Sequence, residues 1–133
     1  MSADEPKIRI VLAHRRRMLR ELLQRVLSRQ PDLEIVGQST DPIDLLLAVS
    51  RSEADVVILD EANSRGLRSH LLAEFPHLTL LDLSSDGEVA VVEQLYPHRW
   101  KFSLAESDLP RVLRWAVRTS RSGLEPTDVH LDE

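Results

Sequence analysis

His14, Arg15, Arg16 and Arg17 stand in a row between an apolar run at 8–13 and an amphipathic stretch that begins at Met18. A strand-to-helix turn of this kind cradles phosphate when it is rich in glycine, and holds a divalent cation when it offers carboxylates. This turn has neither. Other reactive side chains close later apolar runs: Asp60 ends "DVVILD", Ser84 and Ser85 follow "LTLLDL", and Glu106 with Ser107 follows "KFSLA". An imidazole, several guanidiniums, carboxylates and hydroxyls are thus placed where they meet if those runs lie side by side. Their first chemistry is charge pairing, with Arg15 able to reach Asp60 or Glu106.

The elements that must align them are visible in the hydrophobic periodicity. Short Val, Ile and Leu runs at 8–13, 33–38, 55–60, 78–84 and 101–105 read as strands. Between them, Met18, Leu19, Leu22, Leu23, Val26 and Leu27 form one helical stripe, and Ile43, Leu46, Leu47 and Ser50 form another behind Asp41-Pro42, an N-cap and first helical residue. The patterning predicts a short third helix at 67–74, a fourth at 88–96 and a last at 109–121. Five strand–helix units with short connections imply an α/β fold, a doubly wound five-stranded parallel sheet of order 2-1-3-4-5 with helices on both faces. In such sheets ligands gather at the carboxyl ends of the strands, where the strand order reverses. That edge is where His14, Arg15, Asp60, Ser84 and residues 105–107 fall.

Composition narrows the classes. The 133 residues are 42% hydrophobic and 29% charged, which suits one compact domain with its own core. No apolar run approaches the roughly 18 residues a membrane span needs, and the acidic start "MSADEPK" is unlike a signal peptide, so a cytoplasmic protein without membrane contact is expected. The absence of cysteine removes disulfides and thiolate metal sites. Net charge is −5, of which Glu125, Asp128, Asp132 and Glu133 supply −4. The expected organisation is a leader at 1–7, one domain at 8–122 and an acidic tail at 123–133.

The stretch "IRIVLAHRRRMLRELL…PDLEIVGQSTDPIDLLLAVSRSEADVVILD" resembles the first half of a response-regulator receiver domain of the NarL-like branch. "FPHLTLLDLSS" and "KFSLAESDLPRVLRWAVR" extend the resemblance to residue 121. It implies a flavodoxin-like fold. It also implies roles: receivers use an acidic pair after the first strand to hold Mg²⁺, an aspartate after the third to accept phosphate, a threonine or serine after the fourth and a lysine after the fifth. Here Asp60 falls on the acceptor and Ser84 on the hydroxyl position, but His14 and Arg15 fall on the acidic pair and Glu106 where the lysine belongs. The loop "EANSRG" is shorter than its counterpart.

Mg²⁺ demands oxygen ligands, and phosphoryl transfer depends on such a cation. A histidine and an arginine cannot supply them. The expectation is therefore a non-catalytic pseudo-receiver, not an enzyme, with no metal and no cofactor, whose degenerate pocket of His14, Arg15, Asp60, Ser84 and Glu106 is held by internal ion pairing. It would signal by homodimerising or docking another signalling protein. The alternative is a single-domain response regulator that accepts phosphate on Asp60 in a two-component phosphorelay.

Three further residues or groups stand out. Asp82 lies inside a strand covered on both faces, so it needs a cationic or hydroxyl partner. In the last helix, Leu113, Ala116 and Val117 form the inner stripe. That turns Val112 and Trp115 outward beside Arg111, Arg114 and Arg118, and with Trp100 these make a candidate interface, rich in the Trp and Arg that interfaces favour. Arg15, Arg16 and Arg17 lack the interleaved aromatics of a nucleic-acid groove, so no nucleic-acid partner is expected through this domain.

Overall fold

The computed structural model describes residues 7–60, 65–94, 99–104 and 108–122. Glu106, the tail at 123–133 and all but the last residue of the leader lie outside that set. The chain runs β1 (Ile8–Leu12), α1 (Arg17–Leu27), β2 (Leu33–Gln38), α2 (Pro42–Ser52), β3 (Val56–Asp60), α3 (Arg65–Glu74), β4 (Thr79–Leu83), β5 (Val89–Glu93), β6 (Arg99–Ser103) and α4 (Leu109–Ser122).

One six-stranded sheet results, in the order β2-β1-β3-β4-β5-β6. The first four strands are parallel, with Val57 paired to both Val11 and Leu80. The order 2-1-3-4 is as the sequence implies, but the sheet has six strands rather than five and is not wholly parallel. The helix expected at 88–96 is instead β5, antiparallel to β4 through Leu83↔Ala90 and Asp82↔Val91, and β6 returns antiparallel to β5. Seven residues, "EVAVVEQ", fit a period of 2 as well as 3.6. Three valines tip the balance because branching at Cβ restricts the side chain in a helix and suits a pleated strand. Gly87, at φ 76°, makes the tight turn from β4 possible.

Alternation along each strand builds two cores. Ile10, Leu12, Val56, Ile58, Leu81 and Leu83 point to the face covered by α1 and α4. Val11, Ala13, Val57, Leu59 and Leu80 point to the face covered by α2 and α3. Strands buried on both sides are mostly apolar, which is why β1, β3 and β4 read as Val, Ile and Leu runs in which Arg9, Asp60, Thr79 and Asp82 are the exceptions. Asp41 caps α2 as expected, its side chain accepting the Asp44 N–H at 3.0 Å with Pro42 in the first turn. The inner face of α2 is not the expected one: Leu45 and Val49 are buried, whereas Ile43 and Leu47 are exposed. The run Leu45-Leu46-Leu47 allows several stripes, and the position of β2 selects among them. On α1 the inner residues are Leu19, Leu23 and Leu27, leaving Met18 and Leu22 outside.

Helix α4 buries Leu113, Ala116 and Val117 as expected, and Val112 as well. Val112 does not face outward: the arc of α4 laid on the sheet is wide enough to include it. Trp115 is half-buried, its ring edge-to-face with Trp100 (5.0 Å, 87°) and Phe102 (5.3 Å, 71°) of β6. Arg114, rather than lying free among the outer arginines, donates through Nε and Nη2 to the two carboxylate oxygens of Asp32 at 2.6 and 3.1 Å, and through Nη2 to Gln30 at 2.7 Å. This fork ties α4 to the connection between α1 and β2.

The Arg114 hydrogen bonds hold the Asp32 carboxyl below its ordinary value, working against partial desolvation. A carboxylate whose pKa is depressed by folding adds stability above its unfolded pKa and loses it as the pH falls through the folded one. Asp32→Asn should therefore lower the urea midpoint at neutral pH, and the gap to wild type should close in strongly acidic buffer. A gap of constant size at all pH values would contradict a charge-dependent link.

Candidate functional site

The carboxyl ends of β1, β3 and β4 meet at one edge, and four of the five pocket residues lie in its described part. His14 follows β1 and is almost fully buried, at 1% exposure. The backbone N–H of Arg16 donates to its Nδ1 at 3.1 Å, and its Nε2 lies 3.0 Å from the carbonyl of Leu83 at the end of β4. Because Nδ1 accepts, the ring proton sits on Nε2 and is donated to Leu83. The imidazole is thus a neutral cross-brace from the β1–α1 turn to β4, with both nitrogens engaged.

Asp60 ends β3 at 6% exposure. Its Oδ2 accepts the backbone N–H of Arg15 at 2.7 Å, and the Arg15 Nε lies 3.5 Å from the same oxygen. The backbone bond is the stronger of the two: the Arg15 side chain is 55% exposed, so its Coulombic share is screened by water. Arg15 therefore engages the carboxylate mainly as a peptide group. The turn itself is held by Arg20 of α1, whose Nη1 donates to the carbonyls of His14 and Arg15 at 2.8 and 3.1 Å. A guanidinium here gathers loop oxygens at the foot of the first helix.

A second cation lies deeper. Arg68 of α3 donates through Nη2 to the backbone carbonyl of Asp60 at 3.0 Å and pairs with the Asp82 carboxylate at 3.0 Å, with only 16% of its side chain exposed. The sequence signals the need for such a partner at Asp82. It does not identify Arg68, because the lengths of the β3–α3 connection and of α3 set which residue arrives there.

Ser84 turns to its own loop. Its hydroxyl donates to Asp86 Oδ1 at 2.6 Å and accepts the Val89 N–H at 3.0 Å, closing the β4–β5 turn. The bond from Ser84, with the Glu88 N–H and the charge of Arg16, holds the Asp86 carboxyl below its usual range. Arg16 also donates to the Ser85 carbonyl at 2.5 Å. Among the described residues no three acidic or histidine side chains cluster closely enough to hold a metal ion. Glu106 lies outside the described residues.

No family model matches the chain. The transcriptional regulatory protein DegU of Brevibacillus brevis is 26% identical over 125 residues, 90% of this chain and 52% of that one. An uncharacterised response regulatory protein of Yersinia pestis is 24% identical over 128 residues, 92% of this chain and 52% of that one. A protein-glutamate methylesterase/protein-glutamine glutaminase of Hahella chejuensis is 37% identical over 54 residues, but these are 41% of this chain and 15% of the longer protein. The chain thus spans about half the length of the two relatives that it matches throughout. Among solved structures, the isolated receiver domain of RcsB from Salmonella enterica, in the presence of a phosphomimetic, superposes with a TM-score of 0.53 at 16% identity over 92% of this chain and 82% of that one. The receiver domain of NarL from Mycobacterium tuberculosis gives 0.52 at 22% identity over 60% and 68%. These likenesses show the fold, and the sequence relatives include response regulators. No described helix is long and apolar enough to cross a membrane.

The two cations of the site differ in burial and should differ in cost. Arg68→Ala leaves the Asp82 carboxylate, at 6% exposure, without its guanidinium and should cost about 3 kcal/mol. Arg15→Ala keeps the backbone bond to Asp60 and should cost less than about 1 kcal/mol. Urea unfolding of both variants checks the ranking, and equal losses would contradict it. Adding Asp82→Leu to Arg68→Ala should recover much of the larger loss, since it removes the buried carboxylate that has lost its guanidinium.

Proposed function

We propose that this chain, whose homologues include response regulators and whose fold is that of their receiver domains, is a cytoplasmic pseudo-receiver that signals by protein–protein contact without Mg²⁺-dependent phosphorylation. The observation that carries this reading is the fate of the groups a phosphorylation site would use. At the two positions where the family's metal-holding carboxylates fall, His14 spends both ring nitrogens on Leu83 and Arg16, and Arg15 gives Asp60 a peptide N–H instead of a metal ligand. The Ser84 hydroxyl, which would meet a phosphoryl group on Asp60, is engaged with Asp86 and Val89. Asp60 is then a structural acceptor that fastens the first turn to β3.

Signalling receivers work through contacts with other proteins. The contact surface we assign to this one includes the outer face of α4 and its border with β6, where Arg111 and Arg118 are exposed and Trp115 and Trp100 are half-buried. A second copy or another signalling protein would meet these arginines and aromatic edges. Val112 takes no part, being core.

The retained aspartate and serine support a second reading, phosphate acceptance on Asp60 within a phosphorelay. Incubating the full chain with acetyl phosphate and Mg²⁺ and recording its intact mass separates the two. The pseudo-receiver reading predicts an unmodified mass. An added phosphoryl group that disappears in Asp60→Asn would establish the second reading instead.

A further inference from the structure

Residues 15–29 hold Arg15, Arg16, Arg17, Arg20, Arg25 and Arg29 against the single acid Glu21, a surplus of five positive charges in a chain whose total is −5. All of these arginines except the half-buried Arg20 are exposed. Glu21 is already paired with Arg17 at 3.0 Å. The same helix leaves Met18 at 70% and Leu22 at 46% exposure, lining a shallow groove with Arg16, Arg25 and Asp86. Large apolar side chains on a strongly basic face are costly to hydrate and favour an acidic, partly apolar occupant. The exposed apolar pair on α2, Ile43 and Leu47, has no such charge around it: residues 42–52 contain one acid and one base.

The segment 123–133, "GLEPTDVHLDE", has that chemistry. It carries Glu125, Asp128, Asp132 and Glu133, interleaved with Leu124, Val129 and Leu131. The end of α4 lies within its reach of α1. Helices α1 and α4 share one face of the sheet, and both run back from the carboxyl edge of the parallel strands. Arg114 of α4 is level with Gln30 and Asp32, just past the end of α1. From there α4 continues eight residues to Ser122, roughly 12 Å at the helical rise. Eleven extended residues span about 36 Å. That is enough to turn back past Arg29 and Arg25 and reach Leu22.

We propose that the outer face of α1 is a docking surface occupied in cis by the acidic segment 123–133, its carboxylates on Arg25 and Arg29 and its apolar residues on Leu22 and its neighbours. The segment then competes with any acidic partner for this face, which makes it a built-in regulator of docking. This does not rest on the pseudo-receiver reading, because a phosphorylatable Asp60 would leave the α1 face unchanged.

The chain contains no cysteine, so a nitroxide can be attached at one place through His130→Cys, a position that is neither acidic nor apolar. In dilute, isotopically labelled protein at low salt, amide signals of Leu22, Arg25 and Arg29 should lose most of their intensity, while those of Ile43 and Leu47 across the sheet keep theirs. The loss should vanish in about 1 M salt, where screening shortens to roughly 3 Å, and when Glu125→Gln, Asp128→Asn, Asp132→Asn and Glu133→Gln are combined. Unattenuated α1 signals would overturn the proposal, as would equal losses on α1 and α2. Losses that appear only when spin-labelled and isotopically labelled chains are mixed at high concentration would also overturn it, because the segment would then sit on a second copy.

Discussion

Two carboxylates, Asp60 and Asp82, are taken almost wholly out of water at the same edge of the sheet, each with 6% exposure. An unpaired charge in that position would be intolerable, so donors must converge on it. Arg68 enters from α3 to join the Asp82 carboxylate to the Asp60 carbonyl, and the Arg15 N–H comes from the first turn to the Asp60 carboxylate. Once those donors are committed, the conformation of the β1–α1 turn is fixed. With it are fixed the seat of His14 and the start of α1. Of the two carboxylates, Asp82 has a buried cation beside it, whereas Asp60 is met by a peptide N–H and a solvent-screened guanidinium.

The antiparallel hairpin formed by β4 and β5 bears on the same site. A helix after β4 would leave Ser84 at a strand-to-helix turn. Here the chain reverses through Gly87, and the Ser84 hydroxyl closes the reversal by bonding both Asp86 and the Val89 N–H. His14 then reaches across to the Leu83 carbonyl, so the end of β4 is linked to the turn after β1 by a neutral ring. The turn after β1 and the turn after β4 are thereby linked to each other.

Much of the frame is written in patterns that depend on burial alone. The apolar runs of β1, β3 and β4 have to be strands covered on both sides, and Asp41-Pro42 has to start a helix, because both follow from local chemistry. The β5 segment was illegible because seven residues do not distinguish two periods, and the choice is made by the hydrogen-bonding edge that β4 leaves open. The inner stripe of α2 was ambiguous because Leu45, Leu46 and Leu47 are chemically alike and only tertiary register ranks them. At the site, charge and strand order point Arg15 to Asp60 or Glu106 without choosing between them, and the sequence gives no sign that the peptide N–H would be the closer donor to Asp60. Asp82 announces that it needs a cation, but the identity of Arg68 depends on the geometry of the β3–α3 connection.

The Asp60 carboxylate draws its nearest donor from within the chain. The amide proton of Arg15 points at it, which makes that proton a direct reporter, and Mg²⁺ titration followed through the Arg15 and Asp60 amide resonances reads that contact without any assay of activity. Into the millimolar range both signals should stay in place apart from a small drift proportional to ionic strength. A saturable shift of the Arg15 amide that is abolished in Asp60→Asn would show that the carboxylate exchanges its internal donor for a metal, and would contradict the account.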